Sequence, residues 1–87
     1  MGRALDDAAL RIWIELVKLG GYWKLREFRA QSAIDMTGRE MRERMNALEW
    51  NGMVRRRTAD IEHPAWGVTT KCKAPPGYEH LLTGEPA

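Results

Sequence analysis

A single cysteine, Cys72, and two histidines, His63 and His80, leave this chain of 87 residues short of thiol and imidazole ligands. One cysteine forms no internal disulfide, so the fold must stand on packing, and a reducing cytoplasm is the expected setting. The three residues lack zinc-site spacing, so no metal site is expected. Glycine-rich phosphate loops, nucleophile elbows and paired carboxylates at catalytic spacing are missing as well. The expectation is therefore no enzyme, no cofactor and no small-molecule ligand. No apolar run approaches the ~20 residues of a membrane span. The first residues, Met1-Gly2-Arg3-Ala4-Leu5-Asp6-Asp7, lack the apolar stretch of a secretory signal.

What is present has an ordinary globular balance, 44% hydrophobic and 30% charged, at a length that suits one domain with one modest core. The net charge of +2 is small, but its distribution is uneven. Residues 24–57 carry nine basic groups (Lys24, Arg26, Arg29, Arg39, Arg42, Arg44, Arg55, Arg56 and Arg57) against five acidic ones, whereas residues 58–87 net −2. A local positive potential of this kind steers polyanions even when the global charge is weak.

Helical periodicity opens the chain. Ala9, Ile12, Trp13, Leu16 and Leu19 recur at three- and four-residue spacing, Asp6 or Asp7 supplies a cap, and Gly20-Gly21 supplies a stop. This predicts a helix over about 6–19. Tyr22-Trp23-Lys24 is β-prone but too brief to stand as a strand without partners. Residues 25–31 then read as a short helix and 32–36 as a tight connection. Thr37-Gly38-Arg39-Glu40 matches the capping box, in which hydroxyl and carboxylate satisfy each other's amides. Met41, Met45 and Leu48 follow on one face, and Gly52 closes a helix over about 38–50. Residues 53–58 and 66–71 read as two strands of a hairpin, with Trp66 and Val68 on one face. Residues 74–77, Ala-Pro-Pro-Gly, end the regular structure, and Tyr78 to Leu82 can dock as one helical turn. The expected organisation is a domain over 1–73 and a partly flexible tail over 74–87.

Helix, short strand, helix, tight turn, capped helix, glycine and Arg-rich hairpin, in that order, resemble the winged helix-turn-helix superfamily of DNA-binding domains. The resemblance covers about residues 6–72 and is most specific from Met45 through Asn46, Leu48, Gly52, Met53 and Val54 to Arg55-Arg56-Arg57. It implies an α+β fold of three helices with a C-terminal two-stranded β-hairpin, the wing. The size resembles that of small phage, prophage or plasmid regulators of transcription, which implies a cytoplasmic protein whose partner is double-stranded DNA. It also implies that the 38–50 helix enters the major groove, which admits one helix. Arg39 and Arg42 would then reach guanine and Asn46 adenine. Thr37 and Gly38, at the helix start, would approach a phosphate. Lys24, Arg26, Arg29, Arg55 and Arg57 would hold the backbone; consecutive arginines alternate faces of a strand, so at most two of Arg55–Arg57 meet DNA together. Such domains commonly act as homodimers, through helix 1 or the tail here.

Other readings fit the same residues. Arg39 with Glu43 and Glu40 with Arg44 are four-residue pairs that support any exposed helix. The expected wing holds Asp60 and Glu62 and no Lys or Arg between Thr58 and Ala65. An acidic wing suits a winged helix used as a protein-interaction module or as a subunit of a larger assembly; RNA binding is a third reading. Trp13 and Trp23 are expected in the core and Trp66 against the 38–50 helix. Trp50, pointing away from Met41, Met45 and Leu48, is expected to cover the base of the hairpin or to mark a partner surface.

Overall fold

The computed structural model describes residues 5–57 and 63–83. It is an α+β fold: α1 (Asp7–Leu19), β1 (Tyr22–Lys24), α2 (Leu25–Gln31), α3 (Gly38–Trp50), β2 (Arg55–Arg57), β3 (Ala65–Gly67) and α4 (Glu79–Thr83). No helix among the described residues is long and apolar enough to cross a membrane.

The caps place the helices. Asp6 accepts from the Ala9 amide at 2.8 Å to start α1, and Gly20, at φ +71°, ends it by donating to the Leu16 carbonyl at 2.9 Å. At α3 the Glu40 amide donates to the Thr37 hydroxyl at 3.1 Å, while the Thr37 amide donates to the Glu40 carboxylate at 3.2 Å. The expected capping box is formed on both sides.

The sheet supplies the partner that the short β-prone segment lacked in the sequence. Antiparallel order β1-β3-β2 pairs Trp23 with Trp66 and Trp66 with Arg56, so Tyr22–Lys24 finds its partner far along the chain. The expected two-stranded hairpin is thus part of a three-stranded sheet. Both hairpin strands are also shorter than the periodicity predicted. Met53 donates its amide to the Leu48 carbonyl at 2.9 Å and receives the Trp13 indole N–H on its own carbonyl at 2.9 Å. Its backbone is therefore engaged with helices and pairs with no strand. After Gly67 the chain turns, with the Cys72 amide donating to the Thr69 carbonyl at 3.0 Å, so Val68 lies outside β3. Thr58, Asp60 and Glu62, the acidic part of the expected wing, lie outside the described residues.

Ala9, Ile12, Trp13 and Leu16 of α1 meet Phe28, Met41, Met45, Leu48, Val54 and Trp66 in one core. Fully burying one such aliphatic or aromatic side chain stabilises the fold by roughly 1.5–3 kcal/mol. Trp23 is half-buried at the edge of this core, and its indole N–H donates to the Gly20 carbonyl at 2.7 Å. A fourth helix, α4, follows the Pro-rich segment; Tyr78, Leu81 and Leu82 pack partly buried against the core. Arg44 reaches from α3 to Asp6 at 3.0 Å and ties the start of α1 to the middle of α3. Arg44 thus pairs with Asp6 where the sequence offered Glu40, whose carboxylate is held by Thr37.

Candidate nucleic-acid interface

With Met41, Met45, Ala47 and Leu48 buried, α3 turns a stripe of exposed Arg39, Arg42 and Trp50 outward, with Asn46 half-buried among them. Spacings of three and four residues stack these side chains along one face. The Arg39 side chain is 91% exposed, and its only ion pair among the described residues, to Glu43, is at 4.0 Å. An exposed pair at that distance contributes little, so the guanidinium is available to a ligand.

At the N-terminal end of the stripe lies a depression of about 410 Å³ between α2, α3 and the sheet, with Arg26, Arg29, Arg42 and His63 around an apolar floor of Leu25, Pro64 and Trp66. Arg29 donates to the Met36 carbonyl at 3.2 Å, and its guanidinium lies over Gly38, where a Cβ would stand 3.4 Å from Nη1. That contact fixes a positive charge beside the start of α3.

Thr37 is less open than the sequence implied. Its amide and hydroxyl both donate to the Glu40 carboxylate, at 3.2 and 2.9 Å. These bonds, the amide first and the hydroxyl second, hold the Glu40 carboxyl below the usual carboxylate range. A negative charge therefore already occupies the place where a phosphate would meet Thr37. Gly38 remains at the edge of the basic depression.

The strand residues form a separate group. In antiparallel register, side chains of directly opposed residues share a face. Trp23, Trp66 and Arg56 thus share the core side, and Lys24, Ala65 and Arg57, with Tyr22, Gly67 and Arg55, share the outer side. Arg57 stacks over the Tyr22 ring at 4.4 Å. Arg56 instead reaches Glu49 at 3.4 Å, and the Trp66 indole N–H donates to the same carboxylate at 3.4 Å. So the structure brings Arg26, Gly38 and Arg42 together, lines Arg39, Arg42 and Asn46 along α3, and sets Lys24, Arg55 and Arg57 on the outer sheet face.

Trp50 does not cover the hairpin. It is 63% exposed, and the base of the hairpin is closed by Trp66, Glu49 and Arg56. It stands beside Asn46, Glu49 and Arg56 around a shallow depression at the end of the stripe. Lys71 and Lys73, which the sequence gave no reason to single out, stand with Arg55 and Arg56 around a further depression.

Among the described residues no group of three or more His, Cys, Asp or Glu side chains is placed to hold a metal ion. In comparisons with known proteins, no family model, no curated protein and no solved structure matches the chain.

Proposed function

We propose that this chain is a winged helix-turn-helix module that binds double-stranded DNA and reads sequence through α3, as a small cytoplasmic regulator of transcription. The observation that carries the reading is the outward stripe of Arg39, Arg42 and Asn46 on a helix whose other face is core, running into a depression ringed by Arg26, Arg29 and Arg42. Arginine donates two hydrogen bonds to guanine, and asparagine pairs with adenine by donating to N7 and accepting from the N6 amino group. The element order and the β1-β3-β2 sheet are compatible with this fold type. A protein-interaction winged helix is the second reading, favoured by the exposure of Trp50.

Fluorescence-polarisation titrations against random and selected duplexes at two salt concentrations test the proposal. Arg39→Ala or Arg42→Ala should weaken cognate binding by about 1–3 kcal/mol and relax preference at one base pair. Lys24→Ala or Arg55→Ala should weaken all duplexes alike and make the salt slope shallower by about one. The same titrations give the stoichiometry, and with it whether a homodimer binds. Absence of salt-dependent duplex binding at tens of micromolar protein, within the ~10⁻⁴–10⁻⁶ M expected of non-specific binding, would overturn the proposal.

A further inference from the structure

The segment after β3 carries positive charge to the opposite end of α3. The Lys73 amide donates to the Gly52 carbonyl at 2.8 Å, and the Lys73 methylenes lie 3.6–3.9 Å from where a Cβ of Gly52 would stand. Gly52, at φ +75°, therefore both ends the α3 region and lets the lysine stem cross it. Lys71, Lys73, Arg55 and Arg56 surround a depression of about 620 Å³ whose only acidic lining residue among the described residues is Glu49. The Glu49 carboxylate is already held by Arg56 and the Trp66 indole. Arg55, Lys71 and Lys73 are exposed and form no ion pair among the described residues.

This depression adjoins the α3 stripe. Glu49 and Arg56 line both it and the shallow depression that holds Asn46 and Trp50. Basic ground thus flanks α3 at both ends, with Arg26, Arg29 and Arg42 at one and Arg55, Lys71 and Lys73 at the other. The 13 residues of α3 span about 20 Å at 1.5 Å per residue, enough to cross a major groove about 12 Å wide.

We infer that Lys71 and Lys73, with Arg55, form a second phosphate clamp that grips the DNA strand on the far side of the groove from Arg26 and Arg29. The inference rests on the duplex-binding reading and assigns two residues to it. The clamp holds backbone: its two lysines are flexible ammonium groups acting as point charges, and Arg55 stands beside them outside the α3 stripe.

Two measurements test it on the full chain. In duplex titrations from 50 to 300 mM salt, Lys71→Gln with Lys73→Gln should make the slope of log K against log salt shallower by about two, at about 0.9 per phosphate, with sequence preference unchanged. In the unmodified protein, both lysines should lose reactivity toward an acetylating ester by at least five-fold when duplex is added, read by mass spectrometry, while Lys18 on α1 keeps its reactivity. The second measurement needs no variant and so does not depend on one folding. Unchanged slope and unprotected lysines, with Arg39→Ala still weakening binding, would overturn the clamp and leave the duplex reading standing. Protection by polyglutamate but not by duplex would overturn it in favour of an acidic protein partner. No salt-dependent duplex binding by the unmodified protein would overturn both.

Discussion

Gly67→Ala probes the contact on which the sheet depends. An ideal Cβ at Gly67 would stand 2.5 Å from the Gly21 carbonyl oxygen and 3.1–3.2 Å from the Tyr22 ring. The nearest obstacle is backbone, so no side-chain rotation relieves it. A comfortable carbon–oxygen separation is about 3.3 Å, so β1 must retreat by roughly 0.8 Å from β3. Overpacking of this kind costs about 1–3 kcal/mol, offset by the 0.5–1 kcal/mol that alanine gains over glycine in a strand. The difference spans about 0–2.5 kcal/mol, and an obstacle made of backbone places this variant in the upper part, about 1–2.5 kcal/mol, which lowers Tm by roughly 4–20 °C in a domain of this size. The bare Gly67 also gives the Tyr22 ring room beside β3, within 4.4 Å of the Arg57 guanidinium. On the proposed duplex-binding function, the variant should therefore weaken duplex binding as well as unfold earlier. Thermal unfolding followed by far-ultraviolet circular dichroism measures the first effect. Gly38→Ala is the control, because its Cβ would meet only the movable tip of Arg29 at 3.4 Å and helix propensity favours alanine. A Gly67→Ala protein melting within 2 °C of the unmodified one would refute the close β1–β3 approach.

Trp50→Ala should leave Tm unchanged within about 4 °C, since exposed positions away from special contacts shift stability by less than ~0.5 kcal/mol; a larger fall would return Trp50 to the hairpin. The Asp6 carboxyl is held below its ordinary range by the Ala9 amide first and by Arg44 after it, and the Glu40 carboxyl by Thr37. Lowered carboxyls stabilise the fold above the unfolded values near ~4 and lose that stabilisation as pH falls through the folded values. Melting curves from pH 7 to pH 2.5 should therefore show Asp6→Asn with Glu40→Gln, which keep both caps, falling less steeply below about pH 4 than the unmodified protein. Parallel curves would show that these two bonds do not favour the ionised forms.

The helices were legible because their signals are local. Asp6, Gly20, Thr37, Glu40 and Gly52 mark ends by chemistry that operates within a turn, and α2 and α3 occupy the residues predicted for them. The sheet was only half legible. Nothing near Tyr22 announces that Trp66 will pair opposite Trp23, and nothing near Met53 announces that the Trp13 indole will claim its carbonyl. Both are long-range contacts that shorten or create strands. Trp50 was read correctly as pointing off the core face, but the sequence left open whether it covered the hairpin, because the Glu49–Trp66 contact that closes the hairpin joins residues 17 apart in sequence. Lys71 and Lys73 lay outside the visibly basic 24–57 stretch. Their one available signal was alternation about Cys72, which puts two charges outward around a buried thiol.

The acidic residues of α3 decide how much positive charge the helix can present, and each is spent differently. Glu40 is folded back onto Thr37 at the helix start. Glu49 is bridged by Arg56 and Trp66 at the other end, where it fastens the sheet to the helix. Glu43 has no such tie and stands beside Arg39, at 4.0 Å. Two of the three carboxylates that made the helix look nearly neutral are thus structural ties at its ends. Arg39, Arg42 and Asn46 lie between those ties, so the polarity of this surface follows from which partners the carboxylates found and not from composition. The same ties stiffen the helix ends that carry the two basic depressions. A rigid spacing between the basic groups is what backbone contacts must have to set the register from which base-reading side chains reach their edges.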